Sequence, residues 1–385
     1  MKKHFYFFLC VLSLLAQHTM LAQNVNVQVI SDNELIINVS PTGFQLKTTA
    51  EGNLVALENG TSLLKAGAPD IQKLAYSFII PDNALMKVEV LSESFSEIPN
   101  VDLLPSKGNI SRAINPADVP YKKAEIYQKN AFFPSKLAEL QTPYILRDFR
   151  AQTVWVYPIQ YNAVTKTLRV YKNIRLKISS EGLGGENSFT RNKPLANIDR
   201  EFSHIYARQF LNYKTANYTP ISEEGEMLII CHDAFAPEMQ AFVAWKKQKG
   251  IPVTMVNTSV TGNTVTAIKA YITNFYNSHN LKYVLLVGDN AQIPTGAVGS
   301  NPSDNQYVYL AGNDAYPECF IGRFSAEQLI HVNTQVTRNL MYEKTPNPTL
   351  DYYHKGVVIG SEEGPGDDNQ YDWQHEREIG QNLLA

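Results

Sequence analysis

Met227-Leu228-Ile229-Ile230-Cys231 is an apolar run with no polar interruption. A strand exposed on one face alternates apolar and polar side chains. An unbroken run is expected where a strand is covered on both faces, as in a parallel sheet. The residues that follow keep a regular rhythm. Pro237 opens a predicted helix that runs to Lys249, and Gly250 stops it. Residues 252–256 read as a second strand, 264–278 as a second helix, and 283–287 as a third strand ending in Gly288-Asp289. Residues 319–324, 326–343 and 357–360 continue as strand, helix and strand. Alternation of this kind predicts an α/β three-layer domain on a parallel sheet. Sites in such sheets gather beyond the carboxyl ends of strands. Asp289 and the Glu362-Glu363 pair fall at such ends.

Upstream the period changes to two. Val25–Val29, Leu35–Val39, Thr153–Tyr157, Leu168–Tyr171 and Ile174–Ile178 mostly alternate apolar and polar residues between turns, predicting a β-sandwich or related β-rich domain. Gly182–Asn187 lacks the third glycine of a dinucleotide fingerprint and precedes no helical pattern, so it reads as a loop. Phe202, Ile205, Tyr206 and Phe210 share a helical face within 199–213, a linker helix. Charge divides the chain near the same place. Residues 23–217 carry 22 basic and 18 acidic side chains, a net +4, while residues 218–385 carry 10 and 19, a net −9. Opposite potentials suit two docked domains.

The 385 residues are 44% hydrophobic and 18% charged, with a formal charge of −3, which excludes a disordered or collagen-like chain. The charge balance argues against a nucleic-acid partner. Lys2, Lys3 and His4 precede the apolar stretch Phe5–Ala16, and small Ala22 stands at a cleavage point. This pattern predicts a secretory signal peptide over 1–22 and an exported protein, secreted or at the cell surface, without a transmembrane anchor. Cys231 and Cys319 then remain as two thiols that an oxidising compartment could pair.

Two segments hold candidate chemistry. In Gly312-Asn313-Asp314-Ala315-Tyr316-Pro317-Glu318, the carboxylates of Asp314 and Glu318 bracket the Tyr316 carbonyl, an oxygen spacing able to wrap Ca²⁺. Asp289 could add a carboxylate. An Asn-Asp turn beside a solvated Glu is the plainer alternative. In the second segment, 361–376, five carboxylates lie between 362 and 372, and Asp372, His375 and Glu376 share one face of a predicted helix. Asp372 reads equally as a helix-start acid favoured by the dipole.

Tyr218-Thr219-Pro220 with its acidic stretch, Tyr283–Asp289, Gly312–Ser325, Glu363-Gly364 and Asp372-Trp373-Gln374-His375-Glu376 together resemble gingipain-type cysteine peptidases of the Arg-directed kind. The resemblance covers 218–385. Through Val156–Tyr161 and Thr165–Tyr171 it extends over 23–217, which is similar to the family's propeptide. It implies a caspase-like catalytic domain, present in its N-terminal part, that cleaves protein or peptide substrates after Arg by a Cys–His dyad. The family's His lies in a Gly-His-Gly segment, which does not occur here, and neither Cys231 nor Cys319 matches its nucleophile. The dyad is therefore expected beyond Ala385, and the chain as given is expected to be an inactive zymogen fragment. The resemblance further implies that Asp289, Asp314 and Glu318, with the carbonyls of Ala311 and Tyr316, bind structural Ca²⁺. His375 falls at a ligand of a second calcium site, Glu363 near the dyad, and Asp372 in the arginine-accepting pocket. Residues 23–217 would act as an intramolecular inhibitor. A non-catalytic secreted or surface binding protein on a peptidase-like fold is the alternative from another class.

Overall fold

The computed structural model describes residues 25–191, 195, 197–214, 217–221, 225–351, 355–366 and 370–384. The expected signal peptide lies outside the described residues, as do Asp367 and Asp368.

The first part is built from antiparallel strands. Val25–Ser31, Glu34–Val39, Thr167–Leu183 and Ile159–Asn162 form one sheet, with Ala84–Ile98 also paired to Thr167–Leu183. Thr61–Ser62, Gln72–Ile79, Phe149–Val156 and Ala138–Leu140 form another, to which the short strand Tyr144–Leu146 is added through Phe149–Val156. Alternation decides the packing. Ile37 and Val39, Leu74 and Phe78, Val154 and Val156, and Ile174, Leu176 and Ile178 point into one core shared by both sheets. This part is β-rich, as the alternating pattern predicts.

The second part is a four-stranded, all-parallel sheet in the order Val253–Asn257, Glu226–Cys231, Leu281–Val287, Phe320–Phe324. The unbroken apolar runs are explained by burial on both faces. Leu228, Ile230 and Leu286 pack against Ile268, Ile272 and Phe275 of the helix Val265–Ser278. On the other face, Ile229, Cys231, Leu285 and Val287 pack against Phe242 of Gln240–Gln248 and Val332 and Val336 of Leu329–Glu343. Gly250, at φ +86, follows the helix Gln240–Gln248 at the place expected.

Three expectations need correction. Val357–Gly360 is not a strand, and Val357 and Ile359 are 86% and 84% exposed. An apolar run becomes a strand only where a neighbour pairs with it, and none among the described residues does here. Glu362 and Glu363 consequently do not follow a strand end. The linker helix is shorter than read, Arg200–Gln209, because the chain turns extended at Phe210. Cys231 and Cys319 are both buried and unpaired. Among the described residues, no helix is long and apolar enough to cross a membrane.

Candidate functional site

Asp372 opens the helix Asp372–Leu384. Its Oδ2 accepts a 2.6 Å hydrogen bond from the Ser361 hydroxyl, which fixes the carboxylate plane. Its Oδ1 lies 3.0 Å from Nε of Arg112, a residue of the β-rich part some 260 positions earlier. The same guanidinium donates through Nη1 to the carbonyls of Gln370, at 2.9 Å, and Gly364, at 3.2 Å. Gly364 stands at φ +139, and a Cβ there would lie 2.2 Å from the Arg112 carbonyl oxygen. Glycine thus permits two backbones to touch. An arginine held by a carboxylate and main-chain carbonyls is what an arginine-accepting pocket would do to a substrate side chain. Both charged side chains remain about one-third exposed. Sequence reasoning singled out Asp372 and missed Arg112, which sits in an irregular stretch with no motif around it. Glu363 is exposed, its N–H 3.4 Å from the Ser361 hydroxyl. His375 lies one turn into the helix, its N–H donating to the Tyr371 carbonyl at 3.3 Å.

The loop 311–318 is the second site. Glu318 is fully buried, and its Oε2 accepts from the N–H groups of Leu310 and Ala311 at 2.6 and 3.1 Å. Its Oε1 has no hydrogen-bond partner. Burial, with the Asp314 charge adding to it against those two N–H groups, pushes the Glu318 carboxyl up to about 7. Asp314 accepts from the N–H of Tyr316 through Oδ1 and of Ile145 through Oδ2, and burial raises its carboxyl too. An orphaned buried carboxylate oxygen beside a second carboxylate fits a hard cation. Asp289 follows the strand Leu281–Val287, its N–H donating to the Ala326 carbonyl and its Oδ1 accepting from the Asn290 N–H. Among the described residues, no three His, Cys, Asp or Glu side chains are gathered as a metal group.

Burial pushes both Cys231 and Cys319 up to about 12, so both stay protonated at neutral pH.

Residues 17–217 match the family Propeptide_C25, and residues 221–383 match Peptidase family C25. The chain is 36% identical to Gingipain R1 of Porphyromonas gingivalis over 96% of its own length and 38% of that protein's. Gingipain R2 of Porphyromonas gingivalis (strain ATCC BAA-308 / W83) is 37% identical over 90% of this chain and 48% of that protein. This chain thus spans less than half the length of these curated relatives. The solved complex of Porphyromonas gingivalis RgpB pro- and mature domains is similar at 33% identity and a TM-score of 0.46, covering 50% of this chain and 97% of that one. The sequence motifs, and a propeptide match and a peptidase match lying end to end, agree: the chain belongs to the gingipain-type cysteine peptidases of family C25.

Proposed function

We propose that this chain is the latent, exported precursor portion of a caspase-like cysteine endopeptidase that cleaves after Arg, held inactive by its own β-rich propeptide. One observation carries the reading: Arg112 occupies Asp372 as a substrate arginine would. Asp372 supplies the charge, Ser361 orients it, and the carbonyls of Gln370 and Gly364 accept from the guanidinium. Peptide hydrolysis is assigned to a Cys–His dyad that neither protonated, buried thiol of this chain supplies, so these 385 residues alone are inactive. Asp314 and Glu318 would hold Ca²⁺ with the carbonyls of Ala311 and Tyr316. The ion would neutralise the buried charge and fix the loop. Asp289, Glu363 and His375 keep the supporting roles implied by the family resemblance.

The test is occupancy of the Asp372 site in the full chain. A partly exposed ion pair contributes about 1 kcal/mol or less, and charge-assisted hydrogen bonds to carbonyls raise the total to about 2 kcal/mol. Arg112→Ala should therefore bind N-acetyl-argininamide roughly 30-fold more tightly than the parent chain, read by Trp373 fluorescence or calorimetry. Adding Asp372→Asn should abolish the gain. Equal affinity in the parent and Arg112→Ala proteins would refute the reading.

A further inference from the structure

The contact at Asp372 is about one-third exposed, yet a second contact between the two parts is buried. The strands Tyr144–Leu146 and Phe149–Val156 are joined by the two-residue turn Arg147-Asp148. Arg147 takes φ +46, a left-handed conformation that costs a bulky residue about 1 kcal/mol. Such a conformation persists where the surroundings hold it. Here the turn drives the guanidinium into the α/β part, where the side chain is 7% exposed. Nη1 donates to the carbonyls of Leu281, at 2.8 Å, and Glu318, at 2.7 Å, while Nη2 reaches Asn280 Oδ1 at 3.3 Å. These acceptors stand at the amino ends of the Leu281–Val287 and Phe320–Phe324 strands. The rings of Phe202 and Tyr276 flank the guanidinium at 4.6 and 5.9 Å.

The rest of the hairpin grips the same loop. Tyr144 stacks on Tyr316 with centroids 3.9 Å apart and planes 12° from parallel. The Ile145 N–H donates to Asp314 at 2.8 Å, and Asn187 Oδ1 accepts from the Asn313 N–H at 2.7 Å. Among the described contacts, those that hold Arg147 (Leu281, Glu318, Asn280, Phe202, Tyr276) and those that hold Arg112 (Asp372, Gln370, Gly364) involve different residues.

We propose that this hairpin is a second, self-sufficient anchor of the propeptide on the peptidase part, keeping the two docked whether or not Arg112 fills the Asp372 site. The proposal rests on residues 23–217 being the inhibitory part. It assigns the two arginines different work: Arg112 blocks the site, and Arg147 holds the domain that carries Arg112.

The experiment is hydrogen exchange by mass spectrometry on the full chain and two variants. In Arg147→Met, which keeps the apolar stem, peptides covering 144–149 and 312–320 should exchange roughly tenfold faster or more. Peptides covering 226–231 should be unchanged, showing that the sheet is intact. In Arg112→Ala, exchange at 312–320 should stay within about twofold of the parent, with acceleration confined to 361–366 and 370–374. The anchor proposal is overturned if Arg112→Ala loosens 312–320 as much as Arg147→Met does, or if Arg147→Met leaves it at the parent rate. If Arg112→Ala leaves 361–374 at the parent rate, the site-filling role of Arg112 fails while the anchor stands or falls on Arg147. Should Arg147→Met not fold, Tyr144→Leu removes the stack on Tyr316 without stranding a charge. It must then accelerate 312–320 by roughly threefold, and no acceleration overturns the proposal.

Discussion

Replacing Lys282 with methionine separates a buried ion pair that stabilises the domain interface from one that is merely tolerated. Lys282 lies in the central parallel strand with its side chain 1% exposed. Its Nζ stands 2.7 Å from Asp199, which precedes the helix Arg200–Gln209, and 2.5 Å from Glu201 in that helix's first turn. The Asp199 side chain is 3% exposed, with Arg147 a further 3.9 Å away. Methionine conserves volume and removes the cation, leaving Asp199 buried beside one distant partner. Breaking a buried pair in this way costs about 3 kcal/mol or more. Glu201, with its side chain 31% exposed, can turn to water and adds about 1 kcal/mol at most. A loss of about 3–4 kcal/mol should move a urea midpoint down by roughly 1.5–2 M for an m-value of about 2 kcal/mol/M. Circular dichroism and tryptophan fluorescence on the full chain read it. The double variant Lys282→Met/Asp199→Asn, which removes both charges, should recover to within about 1 kcal/mol of the parent. A second readout is acid stability. Burial works to raise the Glu201 carboxyl, but the bond from Lys282 and its other donors outweigh this and hold it at about 2. A depressed acid contributes stability above its unfolded value near 4.5 and loses it as pH falls toward 2. That acid limb should flatten in Lys282→Met. A single variant as stable as the parent, or a double variant no better than the single, would refute the reasoning.

Glu318 titrates with the opposite sign. Its folded value of about 7 exceeds the unfolded 4.5, so stability is greatest below pH 4.5 and falls as pH rises through 7, by about 3 kcal/mol at most. In chelator, melting curves should show this loss in the parent and not in Glu318→Gln, and millimolar calcium should reverse it in the parent alone. A parent Tm flat from pH 5 to 8 would count against both the buried charge and the cation. Gly364→Ala places a Cβ where the Arg112 carbonyl stands, 2.2 Å away. It should displace that loop and raise N-acetyl-argininamide binding roughly tenfold, and unchanged affinity would show that the close approach is not required.

The parallel sheet was legible because Met227–Cys231 and Tyr283–Val287 are apolar at every position or nearly so, and only two-sided burial suits such runs. The same logic failed at Val357–Gly360, since composition reports that a segment can be buried and not whether a neighbouring edge receives it. Asp314, Glu318 and Asp372 were legible as carboxylates in spaced motifs. Arg112, Arg147, Asp199 and Lys282 were not. Each is a charged residue amid ordinary sequence, and charged residues read as solvated surface. Their burial or pairing is decided by docking between segments 81 to 260 positions apart, which no local pattern encodes. Reading the strand from Tyr283 rather than Leu281 also left Lys282 outside the sheet that buries it.

The weakness of the Arg112 contact explains why a second anchor is needed at all. A contact worth about 2 kcal/mol on its own corresponds to a dissociation constant of roughly 30 mM. A flexible tether supplies an effective concentration of about 1 mM. On those figures Arg112 would fill its site only a few per cent of the time, which is no block. Holding the site closed needs an effective concentration far above 30 mM, and such values come from rigid positioning rather than from linkage alone. The Arg147 hairpin, the Tyr144–Tyr316 stack and the Lys282 ion pairs provide that rigidity from residues outside the blocked site. Loss of the anchor should therefore open the Asp372 site even with Arg112 unaltered: Arg147→Met should gain affinity for N-acetyl-argininamide approaching that of Arg112→Ala. An Arg147→Met chain that folds, loosens at 312–320 and still binds the ligand as weakly as the parent would mean that Arg112 holds its place unaided.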